Sequence, residues 1–362
     1  MPGPRMMSLP IQYARTSDGV RIAFMSLGSG PPVVFASNIF GELNGYRVGW
    51  PHYREVTDRL VALGWRVIRY DVRGMAFSDR DVKDLSLEAR VRDLEAVVSH
   101  LGLERFALGG VDIGAATAIS YAANTPEAVS TLVLLTPWAS GAQYLQIPRL
   151  RAAYSAEPMA GDDSKVFASI MGSVATAFQD SDLARLHTEW FLQTTTVGGL
   201  AAYNAENERI DITDLLPRVK VPTLVIHESP FPFGSYELCR EVAAGIPGAQ
   251  FVVVTDNSIA GRVHDANVTA INRFLRSTAA ASHASDGATT LPSASHRLTA
   301  RELQVLRLVA AGSTNKEIAS AIGVAVSTLE RHLVNLYTKI GARGRADAIA
   351  YALRHRFDRP SA

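Results

Sequence analysis

Over most of its length the chain alternates short β-branched runs with stretches of helical apolar spacing. The runs are PVVFA from Pro32, RVIRY from Arg66, FALGG from Phe106, TLVLL from Thr131, TLVIH from Thr223 and FVVVT from Phe251. Short buried strands separated by helices predict an α/β domain, a parallel sheet covered by helices. The alternation breaks between Trp138 and about Pro217, where helical segments carry Tyr144, Phe178, Trp190, Phe191 and Tyr203. An inserted helical lid, about 138–217, is the expected cause.

A second change comes near Arg276. The stretch RSTAAASHASDGATTLPSAS is small and polar and carries too little apolar surface to order itself. It predicts a large domain over 1–275, a flexible linker over 276–296 and a separate domain over 297–362. In that last domain three helix starts place Glu three residues after Ser or Thr: Thr299 and Glu302, Thr314 and Glu317, Ser327 and Glu330. Such capping boxes satisfy the unpaired amides of a helix N-terminus. Behind them Leu303, Leu306 and Val309, then Ile318 and Ile322, then Leu329, Leu333, Leu336 and Ile340 recur at helical spacing. Three helices therefore share one core, and a fourth is expected from about Gly344 to His355. Gly323-Val324-Ala325-Val326 is a connection of the length a helix-turn-helix requires.

Composition adds location and partners. At 362 residues and 47% hydrophobic, the chain can hold one large core and a small second one. Its single cysteine, Cys239, excludes an internal disulfide and a multi-cysteine metal site. No signal-peptide run opens the chain and no apolar stretch reaches membrane-spanning length, so a cytoplasmic protein without cofactor or metal is expected. The net charge of +1 hides an asymmetry: from Arg297 onward eleven Lys and Arg stand against five Asp and Glu. Positive charge concentrated in a small helical domain points to nucleic acid.

The segment LTARELQVLRLVAAGSTNKEIASAIGVAVSTLERHLVNLYTKIGARGRADAIAYAL resembles the LuxR-type DNA-binding domain over nearly all of its length. The resemblance implies that the third helix enters the major groove of double-stranded DNA. Glu330, Arg331 and Val334 then fall where the family reads base edges, with Asn335 beside them and Arg331 the main reader. Glu330 is also the third residue of a capping box and can serve the helix end instead. Lys316, Ser327, Thr328 and Lys339 are expected on phosphates, where they fix register without reading sequence. The fourth helix, around Ala346 to Ala352, is the family's usual dimer contact, which implies a homodimer.

GPPVVFAS, RVIRYDVRGMAFSD, FALGGVDIGAATAISYAANTPEAVSTLVLL and VPTLVIH together resemble the α/β-hydrolase fold over roughly residues 10–275. Its nucleophile elbow, G-x-nucleophile-x-G on a strained strand-to-helix turn, reads Gly110-Val111-Asp112-Ile113-Gly114 here. Aspartate serves as nucleophile in the haloalkane dehalogenase and epoxide hydrolase branches, where a histidine then activates water. That histidine is expected after the last strand, but VVVTDNSIAGRVH puts Ser258 or Ile259 there and His264 a few residues later. The acid is expected after TLVIH, where Glu228-Ser229-Pro230-Phe231-Pro232-Phe233 supplies only Glu228, at a position that usually faces elsewhere. Ser37-Asn38-Ile39-Phe40 also lacks the His-Gly pair that helps build an oxyanion hole. Asp71, Arg73 and Ser78 match a family motif that is mostly structural.

A hydrolase deprived of base and acid forfeits most proton-transfer catalysis, about 10² to 10⁴-fold. The pocket survives such losses. The expectation is a pseudoenzyme receptor for a small molecule, with Asp112 and Ile113 at the elbow, Asn38 and Ile39 opposite, Trp138 at the lid entrance and Phe231 in place of the acid. Two other readings stay open: a regulator that retains hydrolysis through Asp112 and His264, and a scaffold that only dimerises. Ordinary core packing is the competing role for Trp138 and Phe231. A buried carboxylate such as Asp112 needs a polar partner or a proton.

Overall fold

A computed structural model describes residues 10–154, 164–229, 231, 233–255, 265–285, 300–310 and 313–322, together with Leu329, Leu333, Leu336, Tyr337, Ala348 and Ala352. The chain divides into two compact units, Met1–Ser285 and Asp286–Ala362.

The first unit is built on an eight-stranded sheet of order β1-β2-β4-β3-β5-β6-β7-β8. Its strands are β1 (Gln12–Arg15), β2 (Arg21–Leu27), β3 (Pro32–Ala36), β4 (Arg66–Tyr70), β5 (Phe106–Val111), β6 (Val129–Leu135), β7 (Thr223–Ser229) and β8 (Gln250–Thr255). All six runs of the sequence pattern are strands, and β3 to β8 pair in parallel. β1 and β2, which the pattern does not predict, add an antiparallel edge through β2 and β4. Central strands buried on both faces read as continuous apolar runs, which is why β3 to β6 stand out in the sequence. Two apolar clusters fill the two faces, one containing Ile68, Leu108 and Leu134, the other Val67, Ala107 and Val133.

Helices α1 (Glu42–Val48), α2 (Pro51–Ala62), α3 (Leu87–His100) and α4 (Ile113–Asn124) connect the first strands. Between β6 and β7 lie the helices expected of a lid: α5 (Gly141–Tyr144), α6 (Pro148–Tyr154), α7 (Ser164–Ala175), α8 (Ser181–Thr194), α9 (Val197–Arg209) and a 3-10 turn at Thr213–Arg218. Side-chain caps set the long ones. Asp180 accepts from the Leu183 amide at 2.9 Å, and Thr196 accepts from the Gly199 amide at 3.0 Å. After β7 come α10 (Tyr236–Gly245) and, beyond β8, α11 (Asp265–Ser285).

Helix α11 corrects the expected linker start. Residues 276–285 were expected to be unstructured, yet they continue the helix. Alanine is the best helix former, so Ala279 to Ala281 favour continuation once the preceding turn is anchored. The anchors are present: Arg276 donates to the Leu63 carbonyl at 2.6 Å and stacks over Trp65, and the Thr278 and Thr131 hydroxyls meet at 2.7 Å.

The second unit contains α12 (Ala300–Ala310) and α13 (Asn315–Ile322). Thr314 and Glu317 form the expected capping box: Thr314 N–H donates to the Glu317 carboxylate at 2.7 Å, and Glu317 N–H donates to Thr314 Oγ1 at 3.3 Å. Leu306, Val309, Ile318 and Ile322 pack with Leu329, Leu333, Leu336, Ala348 and Ala352 in one core. These are largely the positions that the helical spacing selects.

Candidate functional site

The turn from β5 into α4 carries the chemistry. Asp112 has φ 51 and ψ −118, in a region non-glycine residues seldom occupy. Flanking glycines permit the turn: a Cβ on Gly110 would lie 2.7 Å from Ala115 Cα, and one on Gly114 would lie 2.3 Å from the Ala36 carbonyl oxygen. This is the geometry of a nucleophile elbow, which presents one side chain at the head of a helix.

Both Asp112 carboxylate oxygens are engaged. Trp138 Nε1 donates to Oδ1 at 3.3 Å and the Tyr144 hydroxyl donates to Oδ2 at 3.0 Å. The two rings stack on each other, with centroids 5.0 Å apart and planes 20° apart. Burial raises the Asp112 pKa to about 7, and the two donated bonds oppose that rise. Among the described residues, no histidine hydrogen-bonds this carboxylate.

Asp112 opens on a cavity of about 60 Å³. Its walls include Phe35, Trp50, Tyr53, His187, Trp190 and Phe231. Trp50 and Trp190 are stacked at 5.5 Å and 25°, and Tyr53 meets Trp190 edge-on at 5.4 Å. Trp190 Nε1 donates to the Gly41 carbonyl at 3.0 Å, which ties lid helix α8 to the loop after β3. Arg69 also borders the cavity; its Nη1 pairs with Glu42 Oε2 at 2.6 Å, its Nε donates to Thr57 Oγ1, and its guanidinium lies 4.4 Å from the Phe35 ring centroid. Arg69 and Glu42 are 1% and 0% exposed, so the positive charge is neutralised where it is buried.

Of the residues singled out in the sequence, Asp112, Asn38 and Phe231 border this cavity. Asn38 is committed locally: its Nδ2 donates to the Tyr53 hydroxyl at 2.6 Å, its Oδ1 accepts from the Phe40 amide at 2.9 Å, and its own amide donates to Glu42 Oε1 at 3.4 Å. Phe231 is half-buried and meets Phe233 edge-on at 6.1 Å. Ile39 and Ile113 belong to the main apolar core rather than to the cavity wall. Trp138 holds Asp112 from behind that wall. Glu228 is buried on β7 and borders a separate open groove of about 440 Å³ that Phe231 also lines. His264, Ser258 and Ile259 lie outside the described residues.

Asp71, Arg73 and Ser78 build structure, as their motif implies. Asp71 accepts from the Leu43 and Phe77 amides, Ser78 donates to the Asp71 carbonyl, and Arg73 is held by Asp93 and Asp18. Sequence reasoning missed Tyr144 as a partner of Asp112 and overlooked Trp50, Tyr53, Arg69 and His187. Only the aromatic content of the lid hinted at this wall.

In the second unit, Lys316 lies in α13. Ser327, Thr328, Glu330, Arg331, Val334, Asn335 and Lys339 lie outside the described residues. Ala348 and Ala352, within the expected dimer segment, are buried in the unit's own core.

The chain belongs to the α/β hydrolase fold family, whose model matches residues 31–257. Its residues 296–352 match a second family, "Bacterial regulatory proteins, luxR family", so the hydrolase domain is joined to a LuxR-type helix-turn-helix domain. A 2-hydroxy-6-oxononadienedioate/2-hydroxy-6-oxononatrienedioate hydrolase of Paraburkholderia phymatum is 27% identical over 261 residues, 68% of this chain and 83% of that protein. The response regulator VraR of Staphylococcus aureus is 40% identical over 58 residues, 16% of this chain and 28% of that protein. Among solved structures, the enol-lactonase of Burkholderia xenovorans LB400 superposes with a TM-score of 0.59 at 18% identity, covering 74% of this chain and all of that one. Among the described residues, no helix is long and apolar enough to cross a membrane, and no group of three or more His, Cys, Asp or Glu is placed to hold a metal ion.

Proposed function

We propose that the protein is a ligand-responsive transcription regulator. In this reading the hydrolase-fold domain binds a small molecule at the Asp112 cavity without efficient turnover, and the helix-turn-helix domain binds double-stranded DNA as a homodimer. The observation that carries the reading is the engagement of both Asp112 oxygens by Trp138 and Tyr144, beside an aromatic cavity, in a chain that also carries a LuxR-type domain. Hydrogen bonds donated to both oxygens hold the carboxylate in place and lower its nucleophilicity, and a receptor carboxylate gains from being fixed. Ligand binding then shifts the population of DNA-competent protein, which requires different ligand affinities in the two states. Lys316, Ser327, Thr328 and Lys339 are the proposed phosphate contacts. Glu330, Arg331, Val334 and Asn335 are the proposed base readers. A regulator of this kind works inside the cell, where its DNA is.

The test is operator affinity of the full chain, measured across a small-molecule library. A compound that changes the affinity, and loses its effect when the Asp112 cavity is blocked by Ala175→Phe, supports the reading. Unchanged affinity across the library favours the dimerisation scaffold.

Two observations favour a hydrolytic second reading: the elbow keeps its strained backbone, and a related protein is named a hydrolase. There, Asp112 attacks an electrophilic carbon and displaces a halide or opens an epoxide. Water, giving up a proton to His264 as the proposed base, then cleaves the resulting ester at the carboxyl carbon and releases the alcohol. Turnover in ¹⁸O-water that labels Asp112, read by peptide mass spectrometry, supports this alternative. No turnover with haloalkanes or epoxides removes it.

A further inference from the structure

His187 lies on lid helix α8 and is 3% exposed, and its ring lines the same cavity as Asp112. The imidazole meets Trp50 at 5.3 Å and 76° and Trp190 at 5.2 Å and 80°. Phe40 lies 6.3 Å away. These rings offer no acceptor beyond their π faces, and among the described residues His187 Nδ1 has no hydrogen-bond partner. Burial also holds the His187 pKa down to about 4, so the ring is neutral near pH 7.

A buried polar atom without a partner is costly, and folded proteins keep few of them. Phenylalanine at position 187 would fill the same aromatic box without that cost. Other polar groups on the cavity wall have partners: Asp112 has Trp138 and Tyr144, Asn38 has Tyr53 and Phe40, and Arg69 has Glu42 and Thr57. Among the fully buried side-chain polar atoms of this wall, within the described residues, His187 Nδ1 is the one without a partner, and its hydrogen bond is left to an occupant.

The chemistry of that occupant follows from the walls. Flat aromatic surfaces favour a planar apolar body. Because Glu42 neutralises Arg69 and His187 carries no charge, the site holds no spare positive charge for an anion. A hydroxyl both donates and accepts, so it satisfies Nδ1 in either tautomer. We propose that the Asp112 cavity binds a small uncharged aromatic molecule bearing a hydroxyl, with its ring against Trp190 and Phe231 and its hydroxyl on His187 Nδ1. This assignment rests on the sensing reading above and names the class of molecule sensed.

Size turns binding into a signal. The cavity measures about 60 Å³, whereas a cavity that accepts benzene is about 150 Å³. A ring enters only when a wall side chain moves. Phe231, half-buried between the cavity and the open groove, is the side chain placed to withdraw. Ligand affinity then differs between closed and open states, as a population shift requires.

The experiment uses the full chain, with phenol and toluene as probes and tryptophan fluorescence as readout, since Trp50 and Trp190 line the site. Phenol is expected to bind saturably and at least tenfold more tightly than toluene. His187→Phe should weaken phenol at least tenfold and leave toluene unchanged, with circular dichroism checking the fold. His187→Asn, which returns a polar atom near the Nδ1 position, should restore the preference for phenol. Equal binding of phenol and toluene, or phenol binding indifferent to His187→Phe, overturns the proposal. So does the absence of saturable phenol binding, which would leave the cavity to buried water. If phenol binds as expected but operator affinity does not change, the sensing reading fails and the site assignment stands. If a different compound alters operator affinity and His187→Phe preserves that response, sensing stands and the His187 site falls.

Discussion

Tyr144 donates its hydroxyl to Asp112 at 3.0 Å, so a lid residue grips the carboxylate that the elbow presents. Burial nevertheless raises the Asp112 pKa from 3.8 to about 7, which makes the folded state bind the extra proton between those values. The stability contributed by protonated Asp112 is therefore complete below the unfolded value and is lost as pH rises through the folded one. Asp112→Asn does not titrate. Its unfolding free energy minus that of the wild type should grow between about pH 4 and pH 8, by no more than about 4 kcal/mol. Urea unfolding across that range checks this, and a pH-independent difference would show that Asp112 keeps an ordinary pKa.

Tyr144→Phe removes a donor and leaves Oδ2 buried without it. The cost should be about 1–3 kcal/mol where the carboxylate is charged. Since this bond lowers the Asp112 pKa against burial, its loss should move the carboxyl titration to higher pH. Infrared difference spectroscopy of the protonated carboxyl band, with Asp112→Asn as the blank, measures the direction.

The Arg69–Glu42 pair predicts strong coupling. Glu42→Ala leaves a 1%-exposed guanidinium without its counter-charge beside the cavity and should destabilise the domain by about 3–5 kcal/mol. Adding Arg69→Met removes the stranded charge and should recover much of that loss. A double-mutant cycle in urea separates the terms, and simple additivity would mean the two groups do not interact.

How much of this was legible in the sequence depends on whether the signal was local. Strands β3 to β8 announce themselves as apolar runs, and the elbow glycines identify Asp112 as the side chain that the turn presents. The edge strands do not. In β1, Gln12–Arg15, only Ala14 is buried, so the strand exists because β2 pairs with it, not because its own pattern demands it. Helix α11 hides in a linker-like composition because its anchors, Leu63, Trp65 and Thr131, are distant in sequence. The cavity wall is equally non-local: Trp190 reaches Gly41 across 149 positions and Tyr144 reaches Asp112 across 32. Motif reading found the carboxylate but not the aromatic wall beside it.

Thr314→Ala tests the capping box of the small unit. It removes the hydroxyl that receives the Glu317 amide and donates to the Glu317 carboxylate. The expected cost is about 1 kcal/mol, confined to the unfolding transition of residues 286–362. A loss in the transition of the hydrolase-fold unit instead would contradict the assignment of Thr314 to a helix cap of the small unit.

DNA recognition separates two kinds of basic residue. Lys316, proposed on a phosphate, contributes one neutralised charge wherever the protein binds. Lys316→Ala should weaken operator and random DNA alike and reduce the slope of log affinity against log salt by about one. Arg331, proposed on a base edge, should behave differently: Arg331→Ala should cost about 1–3 kcal/mol on operator DNA, relax the preference at one base pair in each half-site and change non-specific binding much less. Fluorescence anisotropy over a salt series, with operator and scrambled duplexes, measures both effects. If Arg331→Ala weakens both duplexes equally, the third helix does not read sequence through that residue, and the reader must be sought at Glu330, Val334 or Asn335.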